Sequence, residues 1–100
     1  MNMQQMVQSM QKMQRQYEKA HKELEEREFT YTQNGVVKIT LKGDMSLVGV
    51  EFLDADVLEA DNKEMIEEMI GIAYENVRQQ IYDEEDKLAD KFKVGAGFGF

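Results

Sequence analysis

The sequence predicts an α+β domain ordered helix, three antiparallel strands, long helix, and three patterns carry that prediction. Apolar residues recur at alternating steps of three and four from Met3 to Leu24. From Phe29 to Phe52 the period drops to two, with interruptions at Asn34-Gly35 and Gly43-Asp44. A broad apolar stripe at helical spacing then runs from Met65 to Leu88. The two periods separate the element types because side chains return to one face every ~3.6 residues in a helix and every second residue in a strand.

Residues 2–27 read as one helix. Met3, Met6, Met10, Met13, Tyr17, Ala20 and Leu24 occupy successive a and d positions of a heptad frame, uninterrupted by Gly or Pro. The residues between them are rich in Gln, Lys and Glu, which are good helix formers. At ~1.5 Å per residue this helix is about 39 Å long. A compact domain of this size has a radius of gyration near ~13 Å and is roughly 34 Å across. The helix is therefore expected to protrude, or to bury its apolar seam against a partner outside its own chain. Those seam residues are the candidate dimer and packing contacts.

Phe29 and Tyr31 alternate with Thr30 and Thr32, and Val37, Ile39 and Leu41 alternate with Lys38, Thr40 and Lys42. Asn34-Gly35 between the two runs predicts a hairpin, since a type I′ turn needs two residues that tolerate positive φ. Gly43-Asp44 marks a second turn, and Val48, Val50 and Phe52 give a third strand. A three-stranded sheet with one apolar face needs a cover, which the helices are expected to supply. After a short connection over 54–60, Asp61 with Glu64 reads as a capping box that opens the second helix. Met65, Ile66, Met69, Ile70, Ala73, Val77, Ile81 and Leu88 form its apolar stripe. Gly71 inside this helix costs about 1 kcal/mol relative to Ala, so close packing is expected there. Residues 1–94 are read as a single domain without repeats, and 95–100 as a flexible Gly-rich tail.

Composition narrows the function classes. The chain of 100 residues has no Cys, no Pro and no Trp, and its 20 acids against 12 Lys and Arg leave a formal charge of −8. Absence of Cys excludes disulfides and Cys-based zinc sites. No apolar run approaches the ~18 residues of a membrane span and the N-terminus has no signal-peptide pattern, so the expectation is a soluble cytoplasmic protein without a membrane partner. No catalytic constellation can be assembled. His21 is the one His and falls at an e position, and the two Ser offer little for a nucleophilic triad. Asp54-Ala55-Asp56 fails as a calcium loop, because the positions that require Gly and Glu hold Glu59 and Met65. Gly95, Gly97 and Gly99 have no following helix whose N-terminus could meet a phosphate. The chain is read as a non-enzyme that needs no cofactor.

The charge is unevenly placed. Residues 54–90 hold 13 acids against three bases, and Asp83-Glu84-Glu85-Asp86 reads as a solvated helix face. The first 22 residues carry Lys12, Arg15, Lys19 and Lys22 against Glu18 alone. In the heptad frame Lys12 and Lys19 fall at c, Arg15 and Lys22 at f, on the side away from the seam. Glu18 can pair with Lys22, and Lys19 with Glu23, across one helical turn. Lys12 and Arg15 have only Gln at their i−4 positions. This stripe is the candidate phosphate contact, with Lys91 and Lys93 next. The bland alternative is a coiled-coil exterior kept soluble by charge, in a dimeric protein-interaction adaptor that uses the heptad helix and the acidic long helix.

The order of these features resembles the YbaB/EbfC family of bacterial nucleoid-associated proteins over nearly the whole chain. Gln11-Lys12-Met13-Gln14 is similar to that family's first helix, and Asn34-Gly35-Val36-Val37-Lys38-Ile39 to its hairpin. Gly43 stands where its second turn has Gly. The most specific stretch is Asp54, Leu58, Asp61, Lys63, Glu64, Ile66, Glu67, Ile70, Ala73 and Asn76. The chain departs from the family at Ala55, where Pro is common, and in a tail that lacks Gly-Met and Pro-Gly. The resemblance implies an α-β-β-β-α subunit in a tweezer-like homodimer that binds duplex DNA through protruding helices. It further implies a place in the nucleoid, an architectural or regulatory role, and replication or recombination proteins as partners.

Overall fold

The computed structural model describes residues 2–92. Helix α1 spans Met3–Glu26, followed by strands β1 (Glu28–Gln33), β2 (Val37–Lys42) and β3 (Leu47–Phe52). Two single-turn 3-10 helices, Ala55–Val57 and Ala60–Asn62, lead into α2 (Lys63–Phe92). The α-β-β-β-α order expected from the sequence is the order observed.

Helix α1 begins in a reciprocal cap. Asn2 Oδ1 accepts the Gln5 backbone N–H at 2.8 Å, and Gln5 Oε1 accepts the Asn2 N–H at 3.4 Å. It ends where Arg27 turns extended, with its N–H donating to the Leu24 carbonyl at 3.2 Å. Asn34 and Gly35 have φ of 52° and 69°, the two left-handed residues of a type I′ turn. The Val36 N–H donates to the Gln33 carbonyl at 2.9 Å. At the second turn Asp44 Oδ1 accepts the Ser46 N–H at 2.8 Å and the Ser46 hydroxyl, and these bonds hold the Asp44 carboxyl below its ordinary range.

The sheet runs β1-β2-β3, all antiparallel, with a register shift in β3 opposite Thr40 and Leu41. Phe29, Val37, Ile39 and Leu41 face Met69, Ala73, Val77 and Ile81 of α2 in the core, which Leu24 of α1 closes at one side. Helix α2 lies across β1 and β2 and leaves β3 largely uncovered. The register pairs Leu41 with Leu47 and Ile39 with Val50, so each pair shares a sheet face. Yet Leu41 and Ile39 are 0% and 1% exposed, while Leu47 and Val50 are 61% and 42% exposed. The expectation that helices cover the whole apolar face therefore holds for two strands and fails for the third.

Two local expectations are corrected. Asp61 does not cap α2; it lies inside the Ala60–Asn62 turn, and the helix begins at Lys63. The 3-10 bonds from Asn62 N–H to the Glu59 carbonyl and from Lys63 N–H to the Ala60 carbonyl already satisfy donors that a side-chain cap would serve. Gly71 is exposed, and a Cβ built there meets nothing within 4 Å, so no close packing within the described residues requires Gly. Close approach occurs instead at Gly43, where a Cβ would stand 1.9 Å from the Leu24 carbonyl oxygen.

The two helices pack antiparallel. Arg27 meets Glu84 at 3.5 Å at one end, and the rings of Tyr17 and Phe92 meet edge-on with centroids 5.7 Å apart at the other. N-terminal to that contact α1 runs on past the end of the described part of α2, and Met3, Met6, Val7 and Met10 are 80%, 52%, 47% and 41% exposed. The resulting extents are 70 × 19 × 16 Å with a radius of gyration of 19.5 Å. That is well above the ~13 Å of a compact 100-residue domain. The protruding helix is present.

Candidate nucleic-acid interface

Helix α1 carries two opposed faces. Along the seam, Leu24 is buried in the chain's own core, Ala20, Tyr17 and Met13 are half-buried beside α2, and Met10, Met6 and Met3 are exposed. Opposite them stand Lys12, Arg15, Lys19 and Lys22, all exposed. From Lys12 to Lys22 the stripe is about 15 Å long. Its length is comparable to the ~12 Å width of the B-DNA major groove.

None of these four side chains forms an ion pair among the described residues. The Glu18–Lys22 and Lys19–Glu23 pairs considered from spacing are not closed. Exposed i,i+4 pairs are worth only ~0.3–0.5 kcal/mol, which a fully solvated rotamer easily matches. The stripe therefore presents its positive charge outward. Several of the cations elsewhere are engaged. Arg27 lies 4.5 Å from the Phe29 ring centroid and pairs with Glu84, which also holds Lys87 at 3.6 Å. Arg78 donates to Glu75 at 3.0 Å and to the Tyr82 hydroxyl at 2.9 Å, and these bonds raise its pKa further. His21 meets Glu25 at 2.9 Å and stacks on Tyr17, in a structural rather than a catalytic setting.

Lys91, placed from the sequence only as a further candidate, comes to the edge of the stripe beside Lys19. It lines one open hollow with Met13, Gln16, Lys19, Ala20 and Glu23, because antiparallel docking brings the end of α2 back beside the middle of α1. Lys93 lies outside the described residues. Arg27 and Lys87 line a neighbouring hollow with Glu84 and Lys91. Sequence reading did not single them out, and no local pattern links position 27 to position 84. Of the acidic run, Asp83 and Asp86 are exposed, whereas Glu84 and Glu85 are half-buried. No group of three or more His, Asp or Glu among the described residues is placed to hold a metal ion. No helix in the same range is long and apolar enough to cross a membrane.

Comparison with known proteins identifies the relatives of this arrangement. The sequence profile of the YbaB/EbfC DNA-binding family matches residues 1–96. A nucleoid-associated protein of Malacoplasma penetrans is 31% identical over 88 residues, which cover 88% of this chain and 93% of that protein. One from Streptococcus suis is 43% identical over 70 residues, covering 69% and 70% of the two chains. One from Streptococcus sanguinis is 36% identical over 93 residues, covering 92% and 93%.

Proposed function

The chain belongs to the YbaB/EbfC DNA-binding family, and from that premise we propose that it is a nucleoid-associated protein that binds duplex DNA as a homodimer. The phosphate contacts come from Lys12, Arg15, Lys19 and Lys22, with Lys91 alongside and Lys93 beyond it. One observation supports this reading above the others: among the described residues, the four cations of α1 are exposed and form no ion pair, on a helix that projects past the other elements. A net charge of −8 does not oppose it, because 13 of the acids lie in residues 54–90. Contacts of this kind position a protein on the duplex and read little sequence, which suits an architectural or regulatory role in the nucleoid. Its place would then be the cytoplasm, where the nucleoid lies.

The test is binding to fluorescently labelled duplexes across a salt series. If the stripe meets phosphates, log K falls linearly with log salt, by about 0.9 per contact. Lys12→Ala combined with Arg15→Ala weakens binding similarly on unrelated duplexes and flattens the slope by about one unit per lost contact. In a dimer each substitution removes up to two contacts. Unchanged affinity and slope would remove the stripe from the interface and leave Lys91 and Lys93 as the cations to substitute next.

A second reading keeps one observation of its own. The exposed Met3, Met6, Val7 and Met10 form a flexible apolar surface of the kind that docks other proteins, replication or recombination proteins among them. Absence of any DNA binding at low salt would favour this adaptor role.

A further inference from the structure

Helix α2 carries a second row of large side chains beside its buried one. Met69, Ala73, Val77 and Ile81 recur every four residues and are buried against the sheet. Tyr74, Arg78 and Tyr82 each follow one of them by a single position, and the two Tyr are 38% and 40% exposed. Side chains four apart stand one above another along a helix, so these three form a continuous strip. Arg78 holds the strip together. Its guanidinium carbon lies 5.6 Å from the Tyr74 ring centroid and 5.5 Å from that of Tyr82. It donates to the Tyr82 hydroxyl at 2.9 Å and to Glu75 at 3.0 Å. Gly71, exposed and with nothing within 4 Å of a Cβ built there, stands one turn before Tyr74 on the same side. From Gly71 to Tyr82 the strip is about 16 Å long.

Each part of the strip suits docking better than it suits an isolated helix. Gly in a helix interior costs about 1 kcal/mol relative to Ala, but it lets a second backbone come close at a helix crossing. Tyr and Arg are the side chains that most often anchor protein interfaces. Held in place before binding, they lose little further entropy on contact. Charge selects the occupant. Residues 54–90 hold 13 acids against three bases. Those bases, Lys63, Arg78 and Lys87, pair with Glu67, Glu75 and Glu84 of the same helix. Glu64, Glu68 and Asp86 are exposed and form no ion pair among the described residues. Glu67 lies one turn before Gly71 and Asp86 one turn after Tyr82, so acids close both ends of the strip. We propose that this strip docks a basic amphipathic helix of another protein. Small or apolar residues of that helix lie against Gly71, Tyr74 and Tyr82, and its flanking Lys or Arg face the acids. The same acids repel phosphate, which excludes DNA as the occupant. A second copy fits poorly, because its α2 repeats the charge and its α1 carries Lys12 and Arg15 on the side away from the apolar seam. The strip and the basic stripe lie on different helices, so the proposal rests on neither the DNA contacts nor the homodimer.

The test uses the full chain and a fluorescein-labelled, amidated peptide of about 18 residues, with Leu and Ala along one helical face and Lys on both flanks. Fluorescence anisotropy is read at ~0.15 M salt, where long-range attraction is screened. The peptide is expected to bind, and a counterpart with Ser in place of each Leu to bind at least ~10-fold more weakly. Tyr74→Ala with Tyr82→Ala is expected to raise the dissociation constant at least ~10-fold, the loss typical of anchoring aromatic side chains. Gly71→Leu should weaken binding as much by blocking close approach, while its thermal midpoint stays at or above the parent's because Leu is the better helix former. This arm decides the matter if the tyrosine variant fails to fold. Both variants should keep the parent's sedimentation and its affinity for duplex DNA. Lys12→Ala with Arg15→Ala should leave peptide binding unchanged. Absence of peptide binding, equal binding of the Ser peptide, or full binding by the Gly71→Leu variant overturns the proposal. So does a change of oligomeric state in the tyrosine variant, which would make this face a contact between copies. Loss of its duplex binding would make the face part of the DNA interface and overturn the proposal as well.

Discussion

Gly43 and Gly71 show how differently one residue type can act within a single chain. Gly43 is buried where the end of α1 crosses the second hairpin, and its N–H donates to the Arg27 carbonyl at 2.9 Å. A methyl group there would overlap the Leu24 carbonyl, which is backbone and cannot swing aside. Gly71 faces open space in the middle of α2. Gly43→Ala should destabilise the fold by about 2–3 kcal/mol, as overpacking does. Gly71→Ala should stabilise it by about 1 kcal/mol, by helix propensity alone. In thermal unfolding the second change raises the midpoint by about 4–8 °C for a domain of this size. Loss of stability at Gly71 would instead mean that another surface packs there in solution. Both glycines were visible in the sequence, but one as a turn signal and the other as a packing signal. What distinguishes them is the approach of a distant backbone, which no local pattern encodes.

At the scale of elements, periodicity and turn chemistry located α1, the two hairpins and α2, because those signals are local and the structure keeps them. The capping box at Asp61 was misread because a 3-10 turn enters α2 and uses its own carbonyls for the first donors. The exposure of β3 was illegible for another reason: alternation states which face a residue takes, not whether a helix reaches far enough to cover it. The basic stripe was legible on α1, whereas the arrival of Lys91 beside Lys19 depends on how α2 docks. The overhang of α1 makes a further prediction. The Asn2 cap closes a helix end that packs against nothing among the described residues, so its contribution should be local. Asn2→Ala removes about 1 kcal/mol of capping. Backbone amides near Met6 should then exchange about fivefold faster, while the urea midpoint of the whole protein stays the same. A clear drop in that midpoint would show that the N-terminal turns are held by a partner.

Across the whole molecule, the separation of charge along the long axis decides how an acidic protein can hold DNA. Arg27 is level with Glu84, so the acidic run lies beside the C-terminal end of α1. Lys12 and Arg15 stand 15 and 12 residues before Arg27, about 18–22 Å away along the helix. That is more than two Debye lengths at ~0.15 M salt, where the length is ~8 Å, but well within the ~30 Å length at ~0.01 M. The acids should therefore oppose binding only in dilute salt. Each unit pair at such a distance contributes about 0.2 kcal/mol in water. Asp83→Asn with Asp86→Asn, both at exposed positions, should strengthen duplex binding about two- to fourfold at 10 mM salt and leave it unchanged at 150 mM. The log–log slope then becomes steeper, the opposite of what substitution at Lys12 and Arg15 does. Equal gains at both salt concentrations would place the duplex directly over the acidic run, and the binding surface would then be the body of the molecule instead of its projecting helix.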